Sequence, residues 1–184
     1  LINFSGYVPD DPLIAMVPVS LRQDESAGGN QIAMVLANLG THISDPSERM
    51  RTVKASVDDG KAATAQMTPE ERLNFTALLL SPTFLQLMTG LAPKLVAFNV
   101  IISNVPGPRE TLYWNGARLN GMYPVSLVFD RMALNITLTS YADSLEFGLT
   151  GCRRTLPSMQ RLLDYLERAI ADLEIAAGMR GAAQ

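Results

Sequence analysis

Two prolines one residue apart close a run of β-branched residues, and that juncture narrows what the chain can fold into. Val100, Ile101 and Ile102 carry no charge and favour an extended strand. The run stops at Asn104-Val105-Pro106-Gly107-Pro108. Each proline removes a backbone donor and fixes its own φ. Each also pushes the preceding residue, Val105 or Gly107, toward extended geometry. A strand therefore ends in a stiff corner, not in a flexible loop. Beyond the corner lie the aromatic pair Tyr113-Trp114, a turn at Asn115-Gly116, the start of a second strand, and Tyr123-Pro124-Val125-Ser126.

The rest of the chain supplies elements on both sides of this corner. Leu13 to Leu21 and Ile32 to Leu39 read as apolar strands without clean alternation, which suits strands covered on both faces. Arg22 to Asn30 between them is a polar, glycine-containing loop. Asp45-Pro46-Ser47-Glu48 and Thr68-Pro69-Glu70-Glu71 each combine a capping oxygen, a proline at the first helical position and a glutamate in the first turn. The first opens a helix with Met50, Val53 and Val57 at helical spacing, and the second leads into Leu73 and Leu78. Ser81-Pro82 is expected to start a third, shorter helix that stops near Gly90 or Pro93. Leu134 to Tyr141 alternates, with Leu134, Ile136 and Leu138 on one side and Asn135, Thr137 and Thr139 on the other. After a turn at Ala142-Asp143-Ser144, Leu145, Phe147 and Leu149 form the returning strand. Leu156 to Ala177 is expected to be one amphipathic helix ended by Gly178, with a frayed tail from Met179 to Gln184. Strands, helices, strands and a helix in that order predict an α/β (α+β) fold, a mixed β-sheet covered by helices.

Size and charge bound the function. The chain has 184 residues, 47% hydrophobic and 18% charged, which fits one domain or one large half of a two-domain enzyme with a sizeable core. A net charge of −3 argues against a nucleic-acid partner held through phosphates. One cysteine, Cys152, excludes an internal disulfide and suits a reducing compartment. The opening LINFSGYVPDD lacks a signal peptide's basic start and apolar core, and reads as if cut from a longer chain. The most apolar region, Leu73 to Val105, is interrupted by Pro82, Gly90, Pro93 and Lys94, so no run approaches the ~20 residues of a spanning helix. Peripheral contact with a membrane is compatible with it.

The combination of SNVPGP (Ser103 to Pro108), NGARLNGMYPVS (Asn115 to Ser126), Asp130 and LNITLTSY (Leu134 to Tyr141) resembles the carboxy-terminal part of the bacterial wax ester synthase/acyl-CoA:diacylglycerol acyltransferase family. The resemblance runs from Pro12 to the last helix. It implies the second half of a chloramphenicol-acetyltransferase-like fold, in which two similar halves enclose a tunnel. Residues 1–184 would then be the carboxy-terminal domain, with the catalytic amino-terminal half absent. The complete enzyme would move a fatty acyl group from acyl-CoA to diacylglycerol or a long-chain alcohol, forming triacylglycerol or wax ester. CoA would be a substrate, and no bound cofactor is implied. The expected partners are these substrates, the amino-terminal domain and a membrane or lipid-droplet surface approached from the cytoplasm. The alternative is a lipid-binding or scaffold module that kept the fold without catalysis. A peptide-synthetase condensation half shares the fold, and the SNVPGP and YPVS pair argues against it.

The resemblance also implies where chemistry should lie. The family's His-His motif, followed three residues later by Asp-Gly, provides a base for the acceptor hydroxyl. Here the single histidine, His42, stands in Gly40-Thr41-His42-Ile43-Ser44-Asp45 without that motif, so no catalytic residue is assigned. Cys152 precedes Arg153 and Arg154, whose charge would lower its pKa, yet no histidine follows it; a packed or surface thiol is the simpler reading. The carboxylate pairs Asp10-Asp11, Asp58-Asp59 and Glu70-Glu71 point apart and read as solvated. Neither a phosphate loop nor a metal signature is present. What the family motifs leave is a tunnel wall: Asn30, Ser103, Asn104, Pro106, Gly107, Pro108, Tyr123 with Pro124, Ser126 and Asn135, with Ser140-Tyr141 in the hairpin motif. Asn104 would orient a polar headgroup and Gly107 would permit close approach of a chain.

Overall fold

The computed structural model describes residues 11–20, 32–90, 97–129 and 132–179. Its centre is a five-stranded mixed sheet, made of β1 (Ile14–Ser20), β2 (Ile32–Asn38), β3 (Val100–Val105), β6 (Leu134–Tyr141) and β7 (Ser144–Gly151). The order is β2-β1-β3-β6-β7. β1 pairs antiparallel with β2 and parallel with β3; β3 is parallel to β6, and β6 is antiparallel to β7. The α/β expectation, a mixed sheet covered by helices, is met.

Three helices lie among the described residues: α1 (Pro46–Gln66), α2 (Pro69–Thr89) and α3 (Arg161–Ala176). Both capping signatures form as the sequence requires. Asp45 Oδ1 accepts the Glu48 N–H at 2.7 Å. At α2, the Thr68 N–H donates to Glu71 Oε2 at 2.7 Å while the Glu71 N–H donates to Thr68 Oγ1 at 3.2 Å, a reciprocal box. The Thr68 N–H, together with the Thr68 hydroxyl donating to Glu71 Oε2 at 2.9 Å, holds the Glu71 carboxyl below its usual pKa.

Two helix expectations are corrected. Ser81-Pro82 does not start a helix; α2 runs through it to Thr89. Pro82 cannot donate to the carbonyl four residues back, Leu78, and the Ser81 hydroxyl donates to that oxygen instead at 2.7 Å. Gly90, at φ +69°, ends the helix. The last helix begins at Arg161, not at Leu156. The preceding residues form turns in which the Leu156 N–H reaches the Cys152 carbonyl. These turns press Leu156 and Met159 onto the sheet. The Met179 to Gln184 tail lies, beyond Met179, outside the described residues.

One face of the sheet carries α1 and α3. Ala15, Ala37, Val100 and Leu134 cluster there with Leu156, joined by Val57 of α1, Met159 of the turns before α3 and Leu162 of its first turn. β2 alternates after all, with Ala33, Val35 and Ala37 buried and their neighbours more open. It is an edge strand with one strongly covered face. The opposite face holds Met16, Ile101 and Met132 with Phe98 at its β1–β3 side, and is polar on the β6–β7 side. Among the described residues no helix makes the link between parallel β3 and β6. The chain instead turns the corner, forms a small hairpin arm of β4 (Tyr113–Trp114) and β5 (Ala117–Arg118), and returns as a strap, residues 121–129, across the polar face. The arm turns at Asn115 (φ 47°) and Gly116 (φ 81°), the conformation that an Asn-Gly pair favours.

Candidate functional site

The corner after β3 is clamped to the end of β6. The Gly107 N–H donates to Ser140 Oγ at 3.1 Å, and the Ala142 N–H donates to the Pro108 carbonyl at 2.9 Å. A Cβ added at Gly107 would overlap the Ser140 backbone carbonyl oxygen and press on Thr139 Cγ2. The missing side chain is therefore what lets two backbones approach. Tyr141, buried at the same end, ties in the arm: its hydroxyl accepts the Leu112 N–H at 2.9 Å and donates to the Leu119 carbonyl at 2.8 Å.

The strap is held by β6 and β7 side chains. Asn135, 6% exposed, donates through Nδ2 to the Leu127 carbonyl at 3.0 Å and accepts the Thr137 hydroxyl on Oδ1 at 3.2 Å. The Ser126 hydroxyl is paired with Thr137 Oγ1, and the Ser126 N–H reaches Thr150 Oγ1 at 3.4 Å. A Cβ at Gly148 would overlap the Pro124 carbonyl oxygen, so the strap lies directly on β7. The alternation of β6 thus places its polar row, not its apolar one, under the strap. Buried polar groups there are paired with one another, which removes the penalty of burying them.

The candidate residues separate by position. Ser126 and Asn135 come together in this network, and Ser103 stands in register beside Thr137 on the same face. Asn104 has the opposite parity; it is exposed, and its carboxamide has no hydrogen-bond partner among the described residues. Gly107 and Pro108 form the clamp, with Pro106 exposed at its entry. Tyr123 points away from the sheet and is exposed. Asn30 lies outside the described residues, as does Asp130. Thr137 and Thr150 belong to the network and were not singled out from sequence. The signal available for Thr137 was the Asn135-Thr137-Thr139 alternation; Thr150 gave none.

Groups that could carry chemistry are dispersed. His42 sits exposed in the turn before α1. Cys152 follows β7, and its thiol is lowered to a pKa of about 7. The cause is the Thr155 hydroxyl first, then the Thr155 and Arg154 backbone N–H groups, and not chiefly the arginine charges expected from sequence. Asp58 is lowered by the exposed Lys54 beside it, a helix pair at i and i+4. No cluster of three or more His, Cys, Asp or Glu able to hold a metal occurs among the described residues.

Comparison with known proteins places this geometry. Residues 28–174 match the model of the WS/DGAT C-terminal domain. The chain is 52% identical over 163 residues to the O-acyltransferase WSD of Acinetobacter baylyi, covering 89% of this chain and 36% of that protein. It is 53% identical over 180 residues to a Mycobacterium tuberculosis protein carrying the name diacyglycerol O-acyltransferase, covering 97% and 40%. Among solved structures it is similar to the wax ester synthase/diacylglycerol acyltransferase from Marinobacter aquaeolei VT8. That match has a TM-score of 0.79 and 52% identity, over 92% of this chain and 38% of the other. The chain spans about two fifths of the length of the relatives it matches.

Proposed function

We propose, starting from the fact that this chain belongs to the wax ester synthase/diacylglycerol acyltransferase family through its carboxy-terminal domain, that the full-length protein is an O-acyltransferase. It moves a fatty acyl group from acyl-CoA to diacylglycerol or a long-chain alcohol. The acceptor oxygen forms the new ester bond to the acyl carbon, the thioester C–S bond breaks, and CoA leaves as its thiol. The proton passes from the acceptor hydroxyl to a base, which the family's His-His motif assigns to an amino-terminal half. This chain's share is wall and support. The network of Asn135, Thr137 and Ser126 fixes the strap, the Gly107 clamp fixes the corner, and Ser103, Asn104, Pro106, Pro108 and Tyr123 border the substrate path, with Asn30 assigned to it from the sequence motif.

The single observation that carries this reading is an identity near 50% across almost the whole chain to proteins named for this chemistry. The test is to supply long-chain acyl-CoA with diacylglycerol or hexadecanol and measure ester. The full-length protein is expected to form ester with time, and this chain alone to remain at the level of a heat-killed control. Ester from the isolated chain would move the base onto this half. None from the full-length protein would leave a lipid-binding module without catalysis.

We also propose that α2 is where the protein meets a lipid surface. No helix among the described residues is long and apolar enough to cross a membrane. Yet Leu73, Leu80, Phe84 and Met88 form one stripe along α2, widened by Leu78 and Leu85, and all are exposed, Phe84 by 63%. Between Leu73 and Gly90 there is no charged residue. A surface helix with its backbone satisfied and an apolar stripe suits shallow insertion among headgroups. The chain is expected to float with liposomes, and Phe84→Asp with Met88→Asp to return it to the soluble fraction. Equal flotation of both would remove α2 from this role.

A further inference from the structure

The helix-bearing face of the sheet is not filled where β3 and β6 begin. A cavity of about 180 Å³ opens there, on the face opposite the strap. Val100 and Ile102 of β3 and Leu134 and Ile136 of β6 form its floor, flanked by Leu39 beyond β2 and Leu156 beyond β7. Protein interiors hold few voids larger than a water molecule, so a space of this size departs from ordinary packing. α1 is seated on β2 and α3 begins only at Arg161, and neither helix contributes a residue to the lining. Two of the lining residues are polar, and both stand where β1 and β3 enter the sheet. Thr41 Oγ1 accepts the Leu13 N–H at 3.0 Å, and Asn99 Oδ1 accepts the Ile14 N–H at 2.8 Å. Their oxygens are thereby engaged with backbone. What each still offers is a donor, the Thr41 hydroxyl and the Asn99 Nδ2 amide, and neither donor has an acceptor among the described residues. No charged side chain is among the described residues that line the cavity.

We infer that this cavity binds a medium-chain fatty acid, its chain over Val100, Ile102, Leu134 and Ile136 and its carboxylate at Thr41 and Asn99. The site is apart from the strap network and the Gly107 clamp, and it does not depend on acyl transfer. Size sets the length of the ligand. An apolar void of roughly 150 Å³ accepts the six carbons of benzene, so this one has room for about seven. Octanoate carries that many beyond its carboxylate carbon. Chemistry sets the head. Two neutral donors at the mouth call for an acceptor, and a carboxylate accepts from both. Asn99 is exposed, so the carboxylate keeps water on its other lone pairs and needs no cation beside it. Water alone would satisfy the two donors and leave the apolar floor empty. A lipid with two chains exceeds the volume.

Calorimetric titration of the full-length protein with straight-chain fatty acids, each below its micelle concentration, tests it. From butanoate to octanoate the affinity is expected to rise about four-fold with each methylene, and then to level off. Octylamine, whose ammonium head only donates, is expected to bind at least ~10-fold more weakly than octanoate, because it leaves both mouth donors unpaired. Ala133→Leu puts three more carbons into the cavity from its lining, so octanoate binding should fall by roughly 60-fold while ester formation and melting temperature hold. Affinity that keeps climbing through decanoate and dodecanoate would overturn the inference, since the chain would then lie in a longer channel. So would octylamine binding as tightly as octanoate, a folded Ala133→Leu protein that binds octanoate as before, or no binding of octanoate at millimolar concentration. Should the leucine variant fail to fold, the break in the chain-length series decides alone.

Discussion

Replacing Gly107 by alanine is expected to cost this domain nearly as much stability as replacing it by valine. Ordinary volume arguments would grade the two, because valine adds two more carbons. The clamp does not, because the first added atom already overlaps the Ser140 carbonyl oxygen, which is backbone and cannot rotate aside. Either substitution must part the corner from β6, which breaks the bond from the Gly107 N–H to Ser140 Oγ and loosens that from Ala142 to Pro108. Overpacking of this kind costs roughly 3 kcal/mol. For a domain of this size that is a fall of about 6–12 °C in melting temperature. Thermal unfolding of the isolated chain measures it. A wall facing an open channel behaves differently. Alanine would then be tolerated, valine would shift the ratio of long to short products in the complete enzyme, and the melting temperature would hold. A graded loss with a changed product ratio would therefore return Gly107 to the channel.

The second large effect is expected at Asn135. Asn135→Leu keeps the approximate volume and removes both amide atoms, so the Leu127 carbonyl and the Thr137 hydroxyl each lose a partner. A polar group left unpaired in a buried setting costs about 1–3 kcal/mol. The loss should be local first: the strap should become the earliest site of proteolytic cutting, before the sheet unfolds. Combining Asn135→Leu with Thr137→Val should cost less than the sum of the two, by about 0.5–3 kcal/mol, because both remove the same bond. Strict additivity in denaturant titrations would mean that the two side chains do not act together.

Much of this architecture could be read ahead from local chemistry. Asp45-Pro46 and Thr68-Pro69 announced two helix starts because caps are decided by a few adjacent atoms. Asn115-Gly116 announced a hairpin for the same reason. The errors came where a distant or neighbouring group changed the local rule. Pro82 looked like a start, but the Ser81 hydroxyl supplied the bond it removes. Leu156 looked helical by spacing, but its place is against the sheet. The site was legible as a set of residue types and not as a place. Alternation along β6 separated Asn135 and Thr137 from Leu134 and Ile136, yet nothing in it said that the polar row would be covered. That depends on a strap that begins at residue 121, well past the corner, with Thr150 of the next strand as its anchor. Asn104 and Ser103 are neighbours in sequence and lie on opposite faces, a separation that a motif read as one block conceals.

The strap's two rows of side chains, Ser126 toward the sheet and Tyr123, Val125 and Leu127 outward, also determine where the gene can gain or lose codons. Ser126 is tied to Thr137 and Leu127 to Asn135, so the segment is fixed in both position and parity. One codon inserted near Val125 would exchange the two rows on the side where it falls, turning an apolar side chain onto Asn135 and a serine outward. Two codons would restore parity but shift Ser126 off Thr137 or Leu127 off Asn135. The Asn115-Gly116 tip, exposed and joined to nothing beyond its own hairpin among the described residues, carries no such constraint. Length variation between Pro108 and Leu134 should therefore accumulate at the arm, while the stretch from Tyr123 to Phe129 keeps its count and changes only the identity of its residues.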